Sequence, residues 1–386
     1  MKSLLLLICS AFLYAAASAQ VPATGVAGSY LVGDRAVSFT SSTLATPNVD
    51  AQLFYPATSA GTGTPVAGGQ FPVIAFGHGF NLNYLDYQQL CRHFASWGYL
   101  VISPDVQNGF NVDHAEYALE LGACLDYVLA EGNASASPLF QHVIDKTGVI
   151  GHSMGGGASA LVPPGYPGID AVSGLASAET NPSAIAALGT YSGPYQVISG
   201  SEDNTAPEAS NQLPMYNAAL GPKQHVSITG GAHCKFTDGT TVCDFVSSGG
   251  SVTRAFQVYM AKKYATAFFN YYLKNDADAL PYLCGDSLAA DVAASRITES
   301  HTVSCNAVAV TPGQQHDWQV APNPSTGAVR VTGIRAGVLY DARGMRLRVC
   351  DFGPGLDGVL SLETLPAGLY WLQPVDGGRA RAVVRE

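Results

Sequence analysis

Between residues 72 and 273 short, mostly apolar runs alternate with longer amphipathic stretches. The runs 72–76, 99–102, 147–150, 171–173, 195–198 and 225–228 read as strands. Helices are predicted over 84–97, 113–129 and 253–273 and directly after Ser153. Short strands that are mostly apolar and do not alternate with polar residues fit a mostly parallel, doubly wound sheet covered by helices on both faces. Such sheets bind ligands at the carboxyl ends of their strands, so the chemistry is sought there. Ahead of this region 30–39 and 51–55 read as two more strands, and 56–70, rich in Gly, Thr and Pro, as a loop.

The pattern changes near residue 308. From Ala309 onward there are eight Arg and no Lys, whereas all seven Lys precede it. The tail offers short alternating runs at 318–320, 328–331, 338–340, 346–349, 368–372 and 380–384, divided by Gly, Pro and Asp, which predict a small all-β sandwich. At the other end, Met1-Lys2-Ser3, the apolar run 4–17 and the small-residue site Ala17-Ser18-Ala19 fit a secretory signal peptide cut before Gln20. The expected organisation is a signal peptide over 1–19, an α/β catalytic domain over 20–308 and a β-sandwich domain over 309–386.

With 386 residues, 47% hydrophobic and 12% charged, the chain has material for a sizeable core. A net charge of −10 argues against a nucleic-acid surface and a polybasic membrane anchor. No later segment approaches the apolar length of a transmembrane helix, and a monomer is expected. Of eight cysteines, Cys9 leaves with the leader, and seven remain on an export route that permits disulfides. Cys234 and Cys243 are close in sequence, and Cys284 and Cys305 flank a loop-rich stretch, so these are the expected pairs. Cys91 and Cys124 lie on consecutive helices that right-handed crossovers place on opposite faces wherever the strand order doubles back, so both are expected as buried thiols.

The densest chemical signal is Gly148-Val149-Ile150-Gly151-His152-Ser153-Met154-Gly155-Gly156-Gly157. A G-x-S-x-G turn between a buried strand and a helix exposes a serine for nucleophilic attack. The amide of Met154 then faces the reacting carbonyl from a helix N-terminus. Such an elbow calls for an acid and then a histidine downstream, each past a strand. The run 195–199 leads into Gly200-Ser201-Glu202-Asp203, where Asp203 is the preferred acid and Glu202 its rival. The next strand leads into Gly230-Gly231-Ala232-His233, and among nine histidines only His233 has both the right order and the right end. His225 begins its strand at the wrong end, and Asp105 precedes the serine and is left structural. A second oxyanion donor is expected from Phe80 in Gly77-His78-Gly79-Phe80, with His78 supporting the loop. There is no H-E-x-x-H, no C-x-x-C, no P-loop and no dinucleotide fingerprint, so neither a metal nor a cofactor is expected.

Those motifs, with Phe94-Ala95-Ser96-Trp97-Gly98-Tyr99 and the Cys284 and Cys305 end, resemble the α/β-hydrolases that include cutinase-like polyesterases and poly(ethylene terephthalate) hydrolases. Chlorophyllases and dienelactone-hydrolase-type enzymes are more distant relatives. The resemblance covers residues 50–305 and implies a triad of Ser153, Asp203 and His233, with Phe80 and Met154 as the oxyanion pair. It also implies substrate contacts from Phe80 and His152. Where the family usually carries a tryptophan after the sixth strand, the chain reads Gly174-Leu175-Ala176-Ser177-Ala178-Glu179, a departure that bears on aromatic-polyester cleavage.

The tail resembles the type IX secretion sorting domain of Bacteroidota through Ala321-Pro322-Asn323-Pro324-Ser325-Thr326-Gly327, Tyr340-Asp341-Ala342-Arg343-Gly344 and Leu365-Pro366-Ala367-Gly368-Leu369-Tyr370. The chain closes on Arg385-Glu386 instead of a basic end. That likeness implies the type IX machinery as a partner and a secreted or cell-surface location. Three readings follow: a serine esterase acting on polyesters, a lipase or chlorophyllase-like esterase, and a catalytically silent surface-binding protein on a hydrolase scaffold.

Overall fold

The computed structural model describes residues 23–107, 109–246, 249–305, 319–334, 336–341, 346–352, 357–374 and 381–386. The leader, its cleavage before Gln20 and the boundary after residue 308 lie outside the described residues. The chain forms two compact units, Met1–Cys305 and Asn306–Glu386.

Ten strands build the sheet of the first unit: β1 (Leu31–Thr40), β2 (Asn48–Ala57), β3 (Gly61–Thr62), β4 (Phe71–Gly77), β5 (Leu100–Pro104), β6 (Val143–His152), β7 (Ala171–Leu175), β8 (Tyr195–Gly200), β9 (Lys223–Ile228) and β10 (Ile297–His301). Their order is β10-β9-β8-β7-β6-β4-β5-β2-β1-β3. The block from β5 to β9 is parallel, with antiparallel β2 on one side and antiparallel β10 on the other. This is the mostly parallel sheet that the apolar pattern predicts, in the α/β-hydrolase fold that the resemblance implies. Two strands go beyond that pattern: β3 within the expected loop, and β10, whose burial alternates and therefore gave no continuous apolar run.

Side-chain alternation assigns each face its own core. Along β4, Val73 and Ala75 pack with Leu121 and Leu125 of helix α2 (His114–Asn133), whereas Ile74 and Phe76 pack with Phe94 of helix α1 (Gln88–Ser96) and with Phe268 and Phe269 of the long helix Arg254–Lys274. Asp113 caps α2 by accepting the amides of Ala115 and Glu116 at 2.9 and 3.1 Å. Cys91 on α1 and Cys124 on α2 fall in opposite cores as buried free thiols, as the doubling back at β4 requires.

In the second unit β12 (Ala328–Thr332) lies between β11 (Gln319–Ala321) and β15 (Asp357–Ser361). A second antiparallel sheet runs β14 (Arg346–Asp351), β13 (Ala336–Asp341), β16 (Gly368–Pro374), β17 (Arg381–Arg385). Val329, Val331 and Leu360 of one sheet share a core with Leu339, Leu372 and Val383 of the other. This is an all-β region of the kind expected.

Candidate active site

β6 delivers the chain to Ser153, whose backbone takes φ 56° and ψ −118° before helix α3 (Met154–Gly165) begins. This region is unfavourable for a residue with a Cβ and persists only when the surroundings fix it. Three hydrogen bonds do so. The Ser153 amide donates to the carbonyl of Leu175 at 2.9 Å, and the Ser153 carbonyl accepts the amides of Gly157 and Ala178 at 3.0 and 2.9 Å. A side chain on Gly151 would collide with the carbonyl of Gly155, and one on Gly155 with the carbonyl of Gly77. The elbow therefore closes on bare backbone, and these two glycines are a steric necessity.

His233 stands in the turn after β9. Its Nε2 lies 2.8 Å from Ser153 Oγ and its Nδ1 2.7 Å from Asp203 Oδ2. A carboxylate only accepts, so Nδ1 carries the ring proton and Nε2 accepts from the serine hydroxyl. The other oxygen of Asp203 takes the amides of Thr205 and Ala206, both at 2.8 Å, which holds the buried carboxylate in place. Glu202 points elsewhere and accepts from Ser251 Oγ at 3.0 Å. His225 belongs to a separate buried group, with Ser199 Oγ 2.7 Å from its Nε2.

The loop after β4 approaches the same place. His78 is buried, with Nδ1 and Nε2 at 2.9 and 2.7 Å from the carbonyls of Gly79 and Val106, so it braces the loop. Phe80, next along, is 45% exposed, and Phe110, in the loop after β5, is 87% exposed. Their rings meet edge to face with centroids 6.0 Å apart. Met154 opens α3, so its amide is among the first-turn donors that lack an intrahelical acceptor. Its side chain is buried.

His152 requires a correction. Its side chain is fully buried, and both ring nitrogens are engaged inside the protein, Nδ1 by Tyr87 Oη at 2.7 Å and Nε2 by the His233 carbonyl at 2.9 Å. A residue without surface touches no substrate, so the expected substrate contact from His152 is withdrawn. Burial, with His233 close by, holds this imidazole well below the ordinary histidine range, so it is neutral.

Cys234, next to His233, is bonded to Cys243, and Cys284 to Cys305. Arg254 ties down the same segment, donating to the carbonyl of Cys234 at 2.5 Å and to Thr237 Oγ1 at 2.6 Å while pairing with Asp244 at 2.6 Å. Cys350 is a buried free thiol. Tyr87, Phe110 and Arg254 escaped the sequence analysis. Each reaches the site through tertiary contact, and none has a spacing that marks it.

Among the described residues no group of three or more His, Cys, Asp or Glu is arranged to hold a metal ion, and no helix is long and apolar enough to cross a membrane. A family model described as PET hydrolase-like matches residues 17–305. The chain belongs to the PET hydrolase-like family. Every site residue of this PET hydrolase-like chain named above falls inside the matched span. The chain is also similar to Lipase 1 of Moraxella sp. (strain TA144), 28% identical over 141 residues, or 36% of this chain and 40% of the lipase. The match thus spans well under two thirds of that lipase's length.

Proposed function

We propose that the protein is a carboxylic-ester hydrolase that works through an acyl-serine intermediate on Ser153. The observation that carries this reading is the directional chain from Ser153 Oγ through His233 to Asp203 at 2.8 and 2.7 Å. His233 takes the serine proton as Oγ attacks the ester carbonyl, then returns it to the leaving alcohol. Asp203 keeps the ring in the required tautomer and offsets the imidazolium charge that forms. The amides of Phe80 and Met154 receive the oxyanion. Water, activated by the same His233, releases the acid and restores the serine.

The PET hydrolase-like family membership supports a polyester as substrate, and the exposed Phe80 and Phe110 rings suit an aromatic acyl group. A specific observation favours a second reading, a lipase-like esterase on small or lipid esters: Leu175 and Ala176, in the segment where the family tryptophan is expected, are buried small or aliphatic residues. Release of aromatic acid from amorphous poly(ethylene terephthalate) film, measured beside hydrolysis of a p-nitrophenyl ester, separates the two. Release from both supports the polyesterase, and cleavage of the soluble ester alone supports the lipase-like enzyme.

The leader and the tail are read as export signals, with residues 309–386 as a type IX sorting domain and a secreted or surface location. The β-sandwich tail and the two disulfides support this. Expression in a host with and without a functional type IX system tests it, since the protein should reach the medium or cell surface only in the former.

A further inference from the structure

We infer that Tyr87 is a positioning residue that locks His152 in a single neutral tautomer and thereby ties the oxyanion loop to the triad histidine. The inference rests on the esterase reading above.

Tyr87 closes the short turn Tyr84–Tyr87 and is fully buried, its ring centroid 5.0 Å from that of Phe76. The amide of Gly79 donates to its Oη at 3.1 Å. An amide cannot accept, so the phenol oxygen is the acceptor there and its single proton is left for His152 Nδ1, 2.7 Å away. Nδ1 therefore carries no proton. The ring proton sits on Nε2 and is donated to the main-chain carbonyl of His233 at 2.9 Å. Donor and acceptor are fixed at every step, from Gly79 N–H through Tyr87 and His152 to His233 C=O.

The two ends of this relay are the two parts of the site that must keep register. Gly79 precedes Phe80, the assigned oxyanion donor, and the accepting carbonyl belongs to the assigned base. They arrive from the loops after β4 and β9, strands that are not neighbours in the sheet. The bridge is carried by the residue immediately before the nucleophile. With the other tautomer the His233 carbonyl would face a bare nitrogen, and the phenol proton would lose its acceptor. Buried groups left unpaired in this way are costly, so the relay works only as drawn.

The test begins on wild type. Nitrogen-15 NMR of histidine-labelled protein, with the His152 signals assigned by their loss in His152→Asn, should show Nε2 protonated and Nδ1 bare near neutral pH. Tyr87→Phe keeps the ring and removes the hydroxyl. It should lower kcat on a p-nitrophenyl ester about 10- to 100-fold while KM stays within about twofold, because the reacting groups are misplaced and the substrate contacts are not. The His152 signals should then report both tautomers. In Tyr87→Phe/His152→Asn the loss should not exceed that of His152→Asn alone, since both break one relay. A wild-type His152 protonated on Nδ1 overturns the inference without any variant. A Tyr87→Phe enzyme with wild-type kcat, a loss confined to KM, or additive losses overturn it equally. Failure of the esterase reading would look different, because wild type itself would cleave no ester.

Discussion

The ring of Phe110 stands edge-on to that of Phe80, centroids 6.0 Å apart, and both are exposed to solvent. Apolar rings held out of a core lose hydrophobic stabilisation unless something covers them, and an aromatic ester would. Phe110→Ala should raise KM for an aromatic ester roughly 3- to 10-fold, the effect of about 1 kcal/mol of lost ring contact, and leave kcat on a short aliphatic ester unchanged. Parallel kinetics on the two ester classes check this. Equal effects on both would remove Phe110 from the substrate cleft.

Asp203→Asn preserves shape but lets an amide face His233 Nδ1, which favours the wrong tautomer. Turnover should fall by about 10⁴ with thermal stability nearly intact. Glu202→Gln, one residue away, should retain wild-type rates, since that carboxylate faces Ser251. Rates for the pair decide between the two acids, and the reverse ranking would make Glu202 the triad acid.

That rivalry marks where sequence reading stops. The alternation of mostly apolar runs with amphipathic stretches was enough for the parallel sheet, because strands buried on both faces carry few polar positions. The glycines around Ser153 were legible for a related reason: only bare backbone fits where β6 meets α3. Choosing Asp203 over Glu202 depends on the amides of Thr205 and Ala206, which take shape only when the turn folds. The substrate contact that the resemblance implies for His152 does not hold, because its burial against Tyr87 is a tertiary fact that no sequence motif carries.

Gly155→Ala should be destabilised by about 1–3 kcal/mol or more, because its Cβ would enter the Gly77 carbonyl and neither backbone can yield. Activity should fall with it, as the same displacement moves the loop after β4 that carries Phe80. Urea denaturation with parallel rate measurements checks both, and a stable, fully active Gly155→Ala would contradict the closed elbow.

Glu120 on α2 is buried, with one oxygen accepting Gln107 Nε2 at 3.1 Å and the other without a protein partner among the described residues. Burial raises its pKa to about 7, against the opposing bond from Gln107. The folded state therefore keeps a proton that the unfolded chain releases above its ordinary value of about 4.3. Over that window the unfolded state binds fewer protons, so stability falls as pH rises from about 4.3 to about 7. Thermal midpoints at about pH 5 and about pH 8 should show wild type losing a few degrees relative to Glu120→Gln at the higher value. A constant difference between the two proteins would mean that Glu120 ionises normally.

Cys234→Ser/Cys243→Ser should cost about 2–3 kcal/mol by freeing the loop around His233. Because Arg254 still holds the Cys234 carbonyl, activity at low temperature should survive. Adding Arg254→Met should abolish it. Residual activity across a temperature series reads both effects, and full activity in the triple variant would show that the loop needs neither restraint.

The most direct measurement is to treat the protein with a fluorophosphonate probe and map the adduct by peptide mass, beside p-nitrophenyl ester hydrolysis in wild type and Ser153→Ala. One adduct is expected, on Ser153, with hydrolysis that falls in step with labelling and a Ser153→Ala protein that is folded, unlabelled and inactive. An adduct on another serine, or ester hydrolysis that persists in Ser153→Ala, would contradict an acyl-serine route through Ser153.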